Sequence, residues 1–183
     1  MGFIFYAPSK RYVGVDFVMP AMPSYVKKTG VFVNASQEYV LQKIQQYNLQ
    51  AVQLHGNELP EFCNVIKQQS VEVLKAFGVD DNFDFNVLST YEAVCDYFLF
   101  DTKSEGYGGA GRRFNHALLQ KYTLLKPFFL SGGISLFDVK NILEIKDNYP
   151  LYAVDINSKF ELAPALKDVR EIEKFIKLLN TEC

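Results

Sequence analysis

The chain has no surplus of charge of either sign: 19 Lys and Arg stand against 21 Asp and Glu, a formal net charge of -2 over 183 residues. That balance gives no electrostatic footprint for nucleic acid or an acidic membrane surface, so a small molecule is the expected partner. Cysteine is sparse. Cys63, Cys95 and Cys183 are odd in number and lack metal-ligand spacing, which points away from a metal site and toward a reducing, cytoplasmic compartment. There is also no membrane-length apolar run. The opening stretch, MGFIFYAPSKRYV, is too short for a span and has no basic region before it, so it reads as neither a signal peptide nor a membrane helix.

What is present is a large apolar content. Hydrophobic residues make up 49% of the chain, enough for one substantial core, and residues 1–183 are expected to form one domain. Short apolar runs alternate with amphipathic stretches along the whole length. Strands are expected over Gly2 to Tyr6, Lys28 to Val33, Ala51 to Leu54, Val71 to Phe77, Tyr97 to Phe100, Phe128 to Leu130 and Tyr152 to Val154. Between them, helices are expected from an N-cap at Ser36 to about Asn48 and from Pro60 with Phe62, Cys63 and Ile66 facing inward. Leu136 to Ile145 and Val169 to Asn180 read as further helices, with weaker ones over Val15 to Met19, Phe83 to Tyr91 and Asn115 to Tyr122.

Strands too apolar to have a wet face, each followed by a helix, argue a parallel sheet covered by helices. Polar or glycine residues follow nearly every strand at the same end, and no GxGxxG fingerprint follows the first, so a TIM (βα)8-barrel is favoured over a doubly wound sheet. Seven strands are counted where such a barrel has eight.

The most informative stretch is DYFLFDTKSEGYGGAGRRFNH, Asp96 to His116. An apolar strand ends in Asp101 and is followed by Gly106, Tyr107, Gly108, Gly109, Ala110 and Gly111, a loop able to approach a substrate with its backbone. Asp101 reads either as a turn cap or as a catalytic acid at the mouth of a barrel under a closing loop.

Taken in order, GFIFYAPSKRYV, KKTGVFVN, AVQLHGNE, VLKAF, FLFDTKSEGYGGAGRRFNH, PFFLSGGI and VDINSKFE resemble the phosphoribosylanthranilate isomerase family of tryptophan biosynthesis, over essentially the whole chain. The resemblance implies a single-domain barrel and an intramolecular aldose-ketose isomerisation, the Amadori rearrangement of N-(5'-phosphoribosyl)anthranilate. It implies no metal and no organic cofactor. In the family, GFIFY is the second strand, and the preceding βα unit carries a K-x-C-G motif whose cysteine is the general base. No such motif occurs here, so the chain is expected to be N-terminally incomplete and impaired in catalysis. The unpaired barrel edges are then expected to lower stability or to drive formation of a homodimer.

The same resemblance assigns Asp101 as general acid, and places Arg11 near the anthranilate carboxylate, where a planar fork suits a bidentate contact. His55 lines the mouth, and Gly108 and Gly109 belong to the substrate loop. Gly132, Gly133, Asp155, Asn157 and Ser158, in the turns after the last two strands, are expected to bind phosphate. Lys159 stands where the family commonly has glycine, and the sequence leaves its role open. Cys63 and Cys95 read as structural thiols and His116 as solvated. Two other readings stay open: a non-catalytic phosphate-binding barrel, and another phosphate-sugar barrel enzyme such as indole-glycerol-phosphate synthase. The latter is expected to show a longer N-terminal extension and catalytic Lys and Glu on early strands, which are not seen.

Overall fold

The computed structural model describes residues 1–103 and 115–181. Seven strands form one sheet: β1 (Gly2–Ile4), β2 (Thr29–Phe32), β3 (Ala51–Leu54), β4 (Glu72–Val79), β5 (Tyr97–Thr102), β6 (Phe128–Leu130) and β7 (Leu151–Val154). Their order in the sheet follows their order in the chain. The pairs β1/β2, β2/β3, β3/β4 and β6/β7 are parallel. Sequential parallel neighbours require a crossover after each strand, which explains the helical stretches between them. Among the described residues, no helix is long and apolar enough to cross a membrane.

The chain divides into two compact units, one of Met1–Ala76 with Asn86–Phe98 and one of Phe77–Phe85 with Leu99–Cys183, the boundaries cutting through β4 and β5. In the first unit, α1 (Gln37–Tyr47) starts as its capping signal demands. The Ser36 hydroxyl accepts the Tyr39 N–H at 3.2 Å, Val40 and Ile44 face the core, and Asn48 ends the helix at φ 48°. In α2 (Pro60–Lys67), proline occupies the first turn, where its missing N–H costs nothing, and Cys63 and Ile66 are buried. Phe62 is only half-buried, so the inward stripe is narrower than the sequence suggests.

No helix forms over 15–19. Gly14, at φ 93°, turns the chain, and Val15 and Val18 stay exposed while Phe17 packs alone on Phe3, Phe5 and Tyr47. The Tyr47 hydroxyl fixes the segment by donating to the Phe17 carbonyl at 3.1 Å. Aromatic packing has replaced helical periodicity there. The outer edge of β1 is also partly covered, contrary to the bare edge expected from sequence. Tyr12 bridges Ile4 in parallel, and the Val13 N–H donates to the Ile4 carbonyl at 3.1 Å. A chain that doubles back on its own strand in this way blunts the edge against pairing with another copy.

The second unit is built on aromatic rings. Phe100 packs against Phe85, Tyr122 and Phe128 at centroid distances of 6.0, 5.3 and 5.0 Å. Since strand side chains alternate, this places Asp101 on the opposite face from Phe100. A 3₁₀ turn over Leu136–Asp138, closed by a Ser135/Asp138 capping box, leads into α3 (Val139–Asn148). The expected helix over His116 is a 3₁₀ segment, His116–Lys121. His116 is not solvated: it is half-buried, with Nδ1 2.6 Å from the Asn141 amide nitrogen. A small antiparallel hairpin, β8 (Glu161–Ala163) and β9 (Leu166–Lys167), has no counterpart in the sequence-based expectation. It delivers the chain to α4 (Val169–Thr181), whose first turn is capped by Asp168 Oδ1, accepting the N–H groups of Arg170 and Glu171.

Candidate active site

Asp101 lies within β5, one residue from its C-terminal end, and is 7% exposed. Its Oδ1 accepts the backbone N–H of Thr102 at 2.8 Å. The next strand, β6, runs into Ser131, Gly132 and Gly133, and the Ser131 N–H donates to the Phe100 carbonyl at 2.8 Å, which seats this turn beside the end of β5. Gly132 has φ 94°, and a Cβ there would lie 3.0 Å from Asp101 Oδ1 and 2.8 Å from the Thr102 nitrogen. Only glycine allows that approach.

The turn after β7 sits next to the turn after β6. The Asp155 N–H donates to the Leu130 carbonyl at 2.8 Å, and the Ser131 hydroxyl donates to Asp155 Oδ2 at 3.1 Å. Asp155, Asn157 and Ser158 are half-buried, whereas Lys159 is exposed. Asp101, Gly132, Gly133 and Asp155 are therefore gathered at one end of adjacent strands, with Asn157 and Ser158 following in the same turn. Gly108 and Gly109 lie outside the described residues.

In the first unit, His55 directly follows β3 at its C-terminal end, and Arg11 lies in the loop after β1, next to Tyr12, which bridges Ile4; both Arg11 and His55 are half-buried. His55 Nδ1 is 2.8 Å from the Gln53 amide nitrogen. An amide nitrogen can only donate, so Nδ1 is the acceptor of this contact.

A buried ion pair, absent from the sequence-based expectation, holds the backbone on either side of His55. Lys75 on β4 and Glu58 form an ion pair at 3.3 Å with side chains 3% and 2% exposed. Lys75 Nζ also donates to the carbonyls of Leu54, Gly56 and Ala76 at 3.3, 2.7 and 2.9 Å. Glu58 Oε1 accepts the Asn34 N–H at 2.8 Å, and Oε2 accepts the Gly56 N–H at 2.9 Å. Each buried charge is thus paired and hydrogen-bonded, the condition under which such a pair is tolerated. A Cβ on Gly56 would meet the Asn34 nitrogen at 2.6 Å, so this turn too needs its glycine. The visible signal was a lysine inside the apolar run VLKAF.

Cys63 and Cys95 are both 0% exposed. A hydrogen bond from the Cys95 thiol lowers the Cys63 pKa against the upward push of burial. Neither thiol reaches a surface where it could touch a substrate.

Sequential parallel strands with their polar residues collected at the C-terminal ends define a barrel-type enzyme scaffold. The solved phosphoribosylanthranilate isomerase of Thermotoga maritima superimposes with a TM-score of 0.81 at 34% identity, covering 98% of this chain and 87% of that one. The fold is therefore the TIM-type (βα) barrel, seven of whose strands are present in the described residues. A second solved isomerase, in complex with reduced 1-(o-carboxyphenylamino)-1-deoxyribulose 5-phosphate, superimposes with a TM-score of 0.78 at 30% identity, covering 98% of this chain and 86% of that one. The N-(5'-phosphoribosyl)anthranilate isomerase of Phocaeicola vulgatus is 43% identical over 180 residues, covering 98% of this chain and 86% of the relative. The family model for N-(5'phosphoribosyl)anthranilate (PRA) isomerase matches residues 1–178, and the chain belongs to this family.

Proposed function

We propose that this chain carries the site for the Amadori rearrangement of N-(5'-phosphoribosyl)anthranilate, with Asp101 as its general acid. The substrate is an aminoaldose whose ring must open before carbon 2 can lose a proton. A proton delivered to the ring oxygen breaks the C1–O bond and leaves a C1=N iminium, which acidifies the C2–H. Loss of that proton gives an enolamine, and protonation at carbon 1 with loss of the C2 hydroxyl proton gives the 1-amino-1-deoxyketose. Substrate and product are isomers, so one acid and one base suffice.

The observation that carries this reading is the placement of Asp101, buried to 7% exposure at the end of β5 against a turn that must be glycine. An acid so placed is shielded from bulk water yet faces the end of the strands where barrel enzymes hold their substrates. Phosphate binding falls to Gly132, Gly133, Asp155, Asn157 and Ser158. In this assignment the backbone N–H groups of the first turn and the polar side chains of the second are the donors, and Asp155 holds Ser131 in place. Arg11 takes the anthranilate carboxylate, and His55 lines the mouth. A single-domain chain, a cytoplasmic location and association through the sheet edge at β7 belong to the same reading. The Ile4–Tyr12 bridge argues against association through β1.

The experiment is turnover of phosphoribosylanthranilate, followed by loss of its fluorescence. It is run on this chain and on a form preceded by a βα unit bearing the family's K-x-C-G motif. Turnover by either form, abolished by Asp101→Asn, supports the assignment. Turnover by the 183-residue chain alone would place the base within it. No turnover by either form would contradict the proposal.

A further inference from the structure

We propose that Lys167 is a positioning residue for phosphate recognition: it holds the Asn157 side chain so that the amide N–H groups, rather than the oxygen, are left to face an incoming phosphate. The inference rests on the assignment of the turn after β7 to phosphate binding.

Lys167 Nζ donates to Asn157 Oδ1 at 2.6 Å and to Glu161 Oε1 at 2.9 Å. An ammonium has donors only, so the Asn157 atom against it must be the oxygen, and the planar amide then directs its NH2 group away from Lys167. Without that contact the amide can turn over and present its oxygen, which repels a phosphate. A donor fixed in advance costs less to order on binding.

The hairpin makes the contact possible. Ala165, at φ 67°, closes the β8–β9 turn, and the Ala165 N–H donates to Glu161 Oε1 at 3.2 Å, returning the chain so that Lys167 lies over a residue ten positions earlier. Glu161, with its side chain 4% exposed, offsets the Lys167 charge and limits its freedom. The next residue, Asp168, is anchored as the cap of α4 and donates its N–H to the Phe160 carbonyl at 2.9 Å. Lys167 is thus held from both sides of the chain, while its side chain stays 38% exposed.

The alternative is a staple that only closes the hairpin. Calorimetric titration with inorganic phosphate and with reduced 1-(o-carboxyphenylamino)-1-deoxyribulose 5-phosphate separates the two, with urea melts of each unliganded variant beside it. Lys167→Met is expected to weaken phosphate binding about tenfold, the range of a hydrogen bond to a charged group. Lys167→Arg should recover most of that loss. Asn157→Asp keeps the contact to Lys167 but removes the amide donors, so it should weaken binding at least as much while melting at an unchanged urea concentration. The double variant Lys167→Met/Asn157→Ala should bind as Asn157→Ala alone does, because one residue acts through the other. Wild-type phosphate affinity in Asn157→Asp, or multiplied losses in the double variant, would overturn the inference. If Ser158→Ala and Gly133→Ala also leave phosphate affinity unchanged, the phosphate assignment itself falls; if they weaken it, only the role of Lys167 does.

Discussion

Gly132 and Asp101 are fitted to each other: a Cβ on Gly132 would stand 3.0 Å from the carboxylate oxygen Oδ1 of Asp101. The same atom would stand 2.8 Å from the Thr102 nitrogen, and the backbone at 132 has φ 94°. Gly132→Ala therefore meets both strain and collision, and about 1–3 kcal/mol of stability should be lost. Because the side chain pushed aside is the proposed acid, kcat should fall further than the loss of folded protein explains. Urea melts and turnover measured on the same preparation check this.

Lys75 and Glu58 make a second test, one of stability. Each is buried, and removing either leaves a charge and several backbone groups without their partner. Lys75→Met or Glu58→Gln should cost about 3–5 kcal/mol. The double variant should lose clearly less than the sum, since the penalty of an orphaned charge is not incurred twice. A double-mutant cycle in urea measures the coupling, and strict additivity would contradict the ion pair.

The thiols give a chemical test. With Cys63 and Cys95 0% exposed, iodoacetamide should leave both unmodified in the folded protein and alkylate both in urea, as read by peptide mass spectrometry. Although the hydrogen bond from Cys95 lowers the Cys63 pKa, burial denies the reagent access, so raising the pH to 8.5 should not change the outcome.

At the first helix, Ser36→Ala removes the acceptor of the Tyr39 N–H and should cost about 1 kcal/mol. Turnover should be unchanged under conditions where the variant is folded. A thermal melt checks the first outcome and the fluorescence assay the second.

Much of the fold was legible because its signals are local. The apolar runs AVQL and FFL match β3 and β6 residue for residue, and Ser36 caps α1 as its position demands. Asp101 and the SGG turn stood out because strand ends and glycine pairs announce themselves in sequence. Other features depend on partners far along the chain. The segment at 15–19 is apolar but takes its shape from Phe17 packing on β1 and Tyr47. His116 is drawn in by Asn141, 25 residues away. Lys75 and Glu58 lie in separate motifs, and Lys167 meets Asn157 only because an unpredicted hairpin turns at Ala165. Periodicity carries no information on such pairings.

In the proposed mechanism Asp101 donates the proton that opens the sugar ring. The most direct measurement compares Asp101→Asn with the parent chain, both carrying the K-x-C-G βα unit if the parent needs it. The two quantities are kcat on phosphoribosylanthranilate and the Kd of reduced 1-(o-carboxyphenylamino)-1-deoxyribulose 5-phosphate. Loss of a general acid should lower kcat by roughly 10²- to 10⁴-fold while Kd changes little. A kcat within a few-fold of the parent, or a loss confined to Kd, would contradict the assignment.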